Sequence, residues 1–128
     1  MANNENLPLR SAVIAHAVSH PIRVEILTLL LGQTLTVSEI TENLVRPQAN
    51  ISQHLAVLRE VHLVESNRDG MNVYYQVTTS EVEPLLEALA RLAERIPAEE
   101  VVLRGRGRRR GRGKGRRHGK RRQNQRER

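Results

Sequence analysis

The stretch PQANISQHLAVLREVHLVESNRDGMNVYYQV, residues 47–77, decides the fold. Within it Ile51, Leu55, Val57, Leu58 and Val61 recur at spacings of three and four, the period of one helix face, while Gln48, Asn50, Ser52, Gln53 and His54 crowd the beginning with polar groups. The spacing predicts a helix over 48–61 that packs through its apolar side and leaves its polar side free. Behind it, 63–66 and 73–77 read as strands joined across Asp69 and Gly70, a pair suited to the tight turn whose twist matches paired strands. A helix running straight into a two-stranded hairpin is the expected unit.

Working outward, Thr36 with Glu39 three residues on forms a capping box, in which each side chain satisfies the other's backbone donor. It opens a short helix through Leu44, with Val37, Ile40 and Leu44 as its buried stripe. Val45, Arg46 and Pro47 then make a three-residue turn into the next helix, which is the helix-turn-helix arrangement. Further upstream, a helix over 9–18 places Leu9, Val13, Ala17 and Val18 on one side and ends near His20. Pro21 suits the first turn of another helix over 22–31, because a first-turn proline lacks only a donor that has no partner there, and Gly32 stops it. Downstream, Ser80 with Glu83 reads as a second capping box. Val82, Leu85, Leu86, Leu89, Leu92, Ala93 and Ile96 line one face of a last helix, which Pro97 ends. The expected fold class is mainly α with a small β-hairpin. It divides into a flexible N-terminus (1–8), a winged helix-turn-helix domain with dimerisation helices (9–96), a linker (97–103) and a disordered Arg/Gly-rich basic tail (104–128).

The net charge of +7 conceals a division. Residues 1–103 carry 7 Lys or Arg against 13 Asp or Glu, a net of −6, whereas residues 104–128 carry 14 against 1, a net of +13. The basic character therefore belongs to the tail. The absence of cysteine removes thiolate metal sites, disulfides and thiol switches. The longest apolar run, near 27–31, is far shorter than the roughly 18 residues that suggest a membrane span. The N-terminus MANNENLPLR has neither the basic patch nor the apolar core of a secretory signal. A cytoplasmic, nucleoid-associated protein with no membrane partner is expected.

The polar side of the 48–61 helix matches the chemistry of a base edge, since a glutamine or asparagine amide bonds two atoms of adenine at once. Gln48 and Gln53 are expected near bases, with Asn50 and Ser52 divided between bases and phosphates; the latter pair would otherwise cap a helix that lacks its usual cap. Arg59 follows on the same helix. His54 has two readings, contact with DNA or a bond inside the helix-turn-helix core. In the hairpin, Arg68 and Asn72 flank the tip and either reach the minor groove or its phosphates or are ordinary solvated turn residues. Tyr74 and Tyr75 point to opposite faces of a strand, so one belongs to the core.

Four motifs in order, SHPIRVEIL (19–27), LTVSEITENL (35–44), NISQHLAVLREVHLV (50–64) and GMNVYYQV (70–77), resemble the ArsR-type winged-helix repressors of prokaryotes. The resemblance covers about residues 9–96 and implies a homodimeric transcriptional regulator that binds an inverted-repeat operator and leaves it when an inducer binds. Two positions depart from it: Val45 stands where a glycine is common in the turn, and Pro47 where a serine or threonine often caps the reading helix. The cysteines of the helix before the reader and the Asp/His pairs of the last helix, which serve as sensors in such proteins, are missing from 35–44 and 81–96.

Neither a metal nor another cofactor is expected. His16 and His20 are four apart, but His20 lies at a helix end and no third ligand is evident. No Ser/His/Asp arrangement, cleft carboxylate pair or phosphate-cradling loop suggests an enzyme; Gly105 to Gly119 is glycine-rich but lacks flanking strand and helix. Surplus apolar surface on the first and last helices predicts a two-fold homodimer that sets two reading helices about one DNA turn apart; packing of both helices on their own subunit is the simpler alternative.

The tail is low-complexity and has no apolar residue to bury, so disorder in isolation is expected. Arg104, Arg106, Arg108, Arg109, Arg110, Arg112, Lys114, Arg116, Arg117, Lys120, Arg121 and Arg122 are candidate phosphate contacts. Engaging half of the tail's charges would give a salt slope of about −6 on duplex DNA. RNA, the acidic residues between Glu81 and Glu100, and mere solubility are its rival uses. Two functions follow: a sequence-specific homodimeric repressor on double-stranded DNA whose tail adds phosphate affinity, or a non-switching chromatin-like or RNA-binding protein dominated by its tail.

Overall fold

A computed structural model describes residues 5–99 of the 128. In chain order they form α1 (Leu7–Val18), α2 (Pro21–Leu30), β1 (Leu35–Thr36), α3 (Val37–Leu44), α4 (Gln48–Glu60), β2 (Val64–Asp69), β3 (Asn72–Val77) and α5 (Val82–Arg95). The chain divides into two units at Glu87, inside α5. No single helix among the described residues is long and apolar enough to cross a membrane.

Local chemistry accounts for most boundaries. α1 begins two residues earlier than the sequence suggests because Pro8 fits its first turn. His20 caps α2, its Nδ1 accepting from the Ile22 N–H at 3.1 Å ahead of the first-turn Pro21. Past the end of α2, Gly32 takes a φ of +76°, a conformation open to glycine at no steric cost. The capping box at α3 is present in both directions: Glu39 N–H donates to Thr36 Oγ1 at 3.2 Å and Thr36 N–H to Glu39 Oε1 at 2.9 Å. The box expected from Ser80 and Glu83 is replaced by a local turn in which Glu81 N–H donates to Thr79 Oγ1 at 3.2 Å.

α3 and α4 are joined by the three-residue turn, and Val45 there adopts φ 53° and ψ 53°. A β-branched residue in the left-handed region is strained by about 1–3 kcal/mol, which is why the position favours glycine. α4 ends differently: His62 N–H donates to Arg59 C=O and Leu63 N–H to Leu58 C=O, both at 3.0 Å, around a left-handed His62. This Schellman arrangement folds Leu63 back toward the core and aims the chain into β2.

The hairpin is part of a three-stranded antiparallel sheet in the order β1-β3-β2, so the two-stranded wing expected from the sequence gains a third strand. Leu35 pairs with Tyr75 and Thr36 with Tyr74, anchoring the wing to the start of α3. The core joins α2 (Ile26, Leu27, Leu30), α3 (Ile40), α4 (Ile51, Leu55, Leu58), Leu63 with the first residue of β2, Val64, and the start of α5 (Val82, Leu86). Tyr75 packs against it, which settles which of the paired tyrosines faces inward.

Candidate nucleic-acid interface

α4 is amphipathic in a particular way. Ile51, Leu55 and Leu58 are buried at 1% exposure or less, while Gln48, Ala49, Ser52, Gln53, Ala56, Arg59 and Glu60 are exposed on the opposite arc. Four of the expected site residues, Gln48, Ser52, Gln53 and Arg59, thus share one open face. Asn50 does not join them fully: it is half-buried, and its Oδ1 is buried without a hydrogen-bond partner. No side chain caps α4 either, so Asn50 and Ser52 do not replace the cap that Pro47 lacks. The uncapped first turn leaves backbone N–H groups at the positive end of the helix dipole, an arrangement that suits a phosphate.

His54 lies on the flank of α4 facing α2. Its Nδ1 is 3.2 Å from Arg23 Nη1, and its ring centroid is 4.4 Å from that of His20, tilted by 44°. Burial, then the neighbouring His20 and Arg23 charges, hold its pKa below the ordinary value of 6.5. A bond inside the helix-turn-helix core, one of the two roles open to it from the sequence, is made here.

In the wing, Asp69 pairs with Asn72 and Arg68 with Val73, leaving Gly70 and Met71 as the two-residue loop. The turn is therefore one residue further on than Asp69-Gly70. Of its two residues only Gly70 has positive φ, +69°, as in a II′ rather than a I′ turn. Directly paired residues share a sheet face and neighbours alternate, so Arg68 and Asn72 point to opposite sides of the hairpin. Both are exposed. Gln76 Nε2 donates to Glu65 Oε2 across the strands at 2.6 Å, bracing the wing below its tip.

The structure also exposes groups that residue type alone did not select. Ala49 and Ala56 lie among the polar residues of α4, where a methyl can meet a thymine methyl. Arg46 is exposed in the turn before α4, and Asn67 shares the face of Asn72 in the wing. Helical spacing from Ser52 and strand alternation from Asn72 are the signals that would have found Ala56 and Asn67. Among the described residues no cluster of three or more His, Cys, Asp or Glu can hold a metal, and His20 Nδ1 is already engaged as a cap. The tail candidates from Arg104 to Arg122 lie outside the described residues.

A helix docked by its apolar side behind a three-residue turn, presenting amides outward and followed by a braced hairpin, defines a winged helix-turn-helix DNA-binding protein. Residues 20–66 match the model of the bacterial regulatory proteins of the arsR family. The transcriptional activator HlyU of Vibrio cholerae is 35% identical over 83 residues, 65% of this chain and 77% of that protein. Its solved structure has a TM-score of 0.63 at 34% identity, covering 69% of this chain and 96% of that one. The transcriptional repressor PagR of Bacillus anthracis is 32% identical over 79 residues, 61% of this chain and 79% of that protein. A homodimeric winged helix-turn-helix DNA-binding domain from Mycobacterium bovis shares the fold, with a TM-score of 0.64 at 24% identity over 73% of this chain and 88% of that one. The chain belongs to the ArsR family, which consists of DNA-binding transcriptional regulators and not enzymes.

Proposed function

We propose that the protein is a cytoplasmic, nucleoid-associated homodimeric repressor that binds an inverted-repeat operator. Gln48 and Gln53 read bases, Ser52 and Asn50 divide between bases and phosphates, Arg59 grips the backbone, and Arg68 and Asn72 contact DNA from opposite sides of the wing. The observation that carries this reading is the division of α4 into a face sunk in the core and an open face of amides and a hydroxyl. Repression requires only that the operator be occupied, whereas activation needs a further contact with polymerase. The name of PagR accords with the first mode and that of HlyU with the second.

Dimerisation is supported by apolar surface left open. Leu7, Leu9 and Val13 of α1 and Leu85, Leu89 and Leu92 of α5 are all exposed, as is Ile96 beyond it. An open groove of about 320 Å³ between α1 and α4 is lined mostly by Ala12, Val13, Ala17, Val57 and Val61, with His16 and Glu60 also at its edge. A two-fold partner covering α1 and α5 removes such surface from water.

The tail supplies phosphate affinity without sequence preference. Deleting residues 104–128 is expected to weaken binding to operator and random duplex about equally and to reduce the salt slope by about 6 if half its charges are engaged. Loss of all preference on deletion would instead favour a tail-dominated, non-switching binder, and retention of RNA rather than duplex DNA would point the same way.

A further inference from the structure

Arg23 of α2 reaches two other helices at once. Its Nε donates to the carbonyl of Ala17 in the last turn of α1 at 2.6 Å, and its Nη1 donates to Nδ1 of His54 on α4 at 3.2 Å. His54 in turn lies against the ring of His20, whose Nδ1 accepts from the Ile22 N–H and opens α2. The ends of α1 and α2 are thereby tied to the middle of α4, next to Gln53.

The proton positions follow from the partners. Guanidinium has donors and no acceptor, so the His54 Nδ1 facing it must carry a lone pair; a backbone N–H imposes the same on His20 Nδ1. In this arrangement His54 accepts through Nδ1 and carries its proton on Nε2. Protonation of His54 removes that acceptor and sets a second cation against Arg23. The charges bearing on His54 are His20, from the start of α2, and Arg23, within it; α1 contributes the Ala17 carbonyl, and the α4 residues that pack inward on either side, Ile51, Leu55 and Leu58, are apolar. No carboxylate figures among the charges acting on His54 that would stabilise the protonated form.

We propose that Arg23 and His54 are positioning residues that hold α4 in its reading orientation only while the His54 imidazole is neutral, so that acid weakens operator recognition without weakening general DNA binding. The proposal rests on α4 being the reader. Added positive charge alone would raise affinity for every duplex, whereas a misplaced α4 lowers affinity for the operator alone, and the ratio of the two separates these effects.

The test uses the full chain, an operator duplex obtained by selection, and a random duplex of equal length, at about pH 7.5 and about pH 5, on either side of the ordinary histidine range. The operator-to-random ratio is expected to fall about tenfold in acid, the scale of one lost charge-assisted hydrogen bond. His54→Gln keeps an acceptor for Arg23 that does not titrate. Whatever its ratio at neutral pH, this variant should lose the acid response. Arg23→Lys, which keeps the charge but not the rigid fork, should reduce the ratio at neutral pH by about the same factor. An unchanged ratio in the parent chain, or an undiminished acid response in His54→Gln, overturns the proposal. Absence of operator preference at neutral pH overturns the reading of α4 itself.

Discussion

α4 and α5 are both amphipathic helices, but they leave opposite kinds of surface outside. α4 buries Ile51, Leu55 and Leu58 and exposes Gln48, Ser52 and Gln53; α5 buries Val82 and Leu86 and exposes Leu85, Leu89 and Leu92. An exposed polar face on a well-anchored helix costs little in water and can exchange its hydration for base edges. An exposed leucine face carries an unrealised hydrophobic gain of about 25 cal/mol per Å² that another protein surface can supply. The two helices thus match the two partners proposed, DNA for one and a second copy of the chain for the other.

Replacing Leu89 and Leu92 together by glutamate should have the largest effect. Both are exposed in the single chain, so the change spares the core while setting charges in the proposed dimer face. Sedimentation should show a monomer, and operator affinity should drop by about 1,000-fold or more, toward the level of non-specific binding. A dimer that persists would move the self-association surface elsewhere. Gln53→Ala acts on the other helix and should cost about 1–3 kcal/mol on the selected operator and little on random DNA, measured by titration of both. Equal losses on the two would make Gln53 a phosphate contact.

Smaller effects sharpen how α4 is set in place. Val45 is 83% exposed and left-handed, so Val45→Gly relieves backbone strain at the cost of a more flexible unfolded chain. A net gain of about 1 kcal/mol is expected, seen as a rise in Tm of about 4–8 °C for a domain of this size, with operator preference unchanged. A fall in Tm would mean that the valine side chain contributes more than its strain costs. The smallest effect concerns pH. Because the folded pKa of His54 is lowered, the unfolded chain binds more protons once pH drops below about 6.5, and stability declines from there toward the lowered folded value. Chemical denaturation across that range should show the decline, and His54→Gln should reduce its slope.

The helix-turn-helix was legible because its signals are local: the Thr36/Glu39 box, three apolar residues at α3 spacing and the apolar stripe of α4 all fall within one or two turns. β1 was not, since two residues show no periodicity and Leu35 and Thr36 become a strand only by pairing with Tyr75 and Tyr74. The wing tip was misread by one residue because Asp-Gly fits a tight turn well, yet register is set along the whole ladder, which keeps Asp69 paired. The open face of α4 followed from the sequence, whereas His54 kept two readings there. Its partner Arg23 lies 31 residues away in the chain, and only the tertiary fold brings them together.

The claim that the open face of α4 reads base sequence is tested most directly by selecting ligands for the full chain from a random duplex library. The expected result is an enriched inverted repeat with half-sites centred about 10 base pairs apart, and loss of enrichment at defined half-site positions with Gln53→Ala. A pool that binds but shows no common motif, or one that Gln48→Ala and Gln53→Ala leave unaltered, would contradict it.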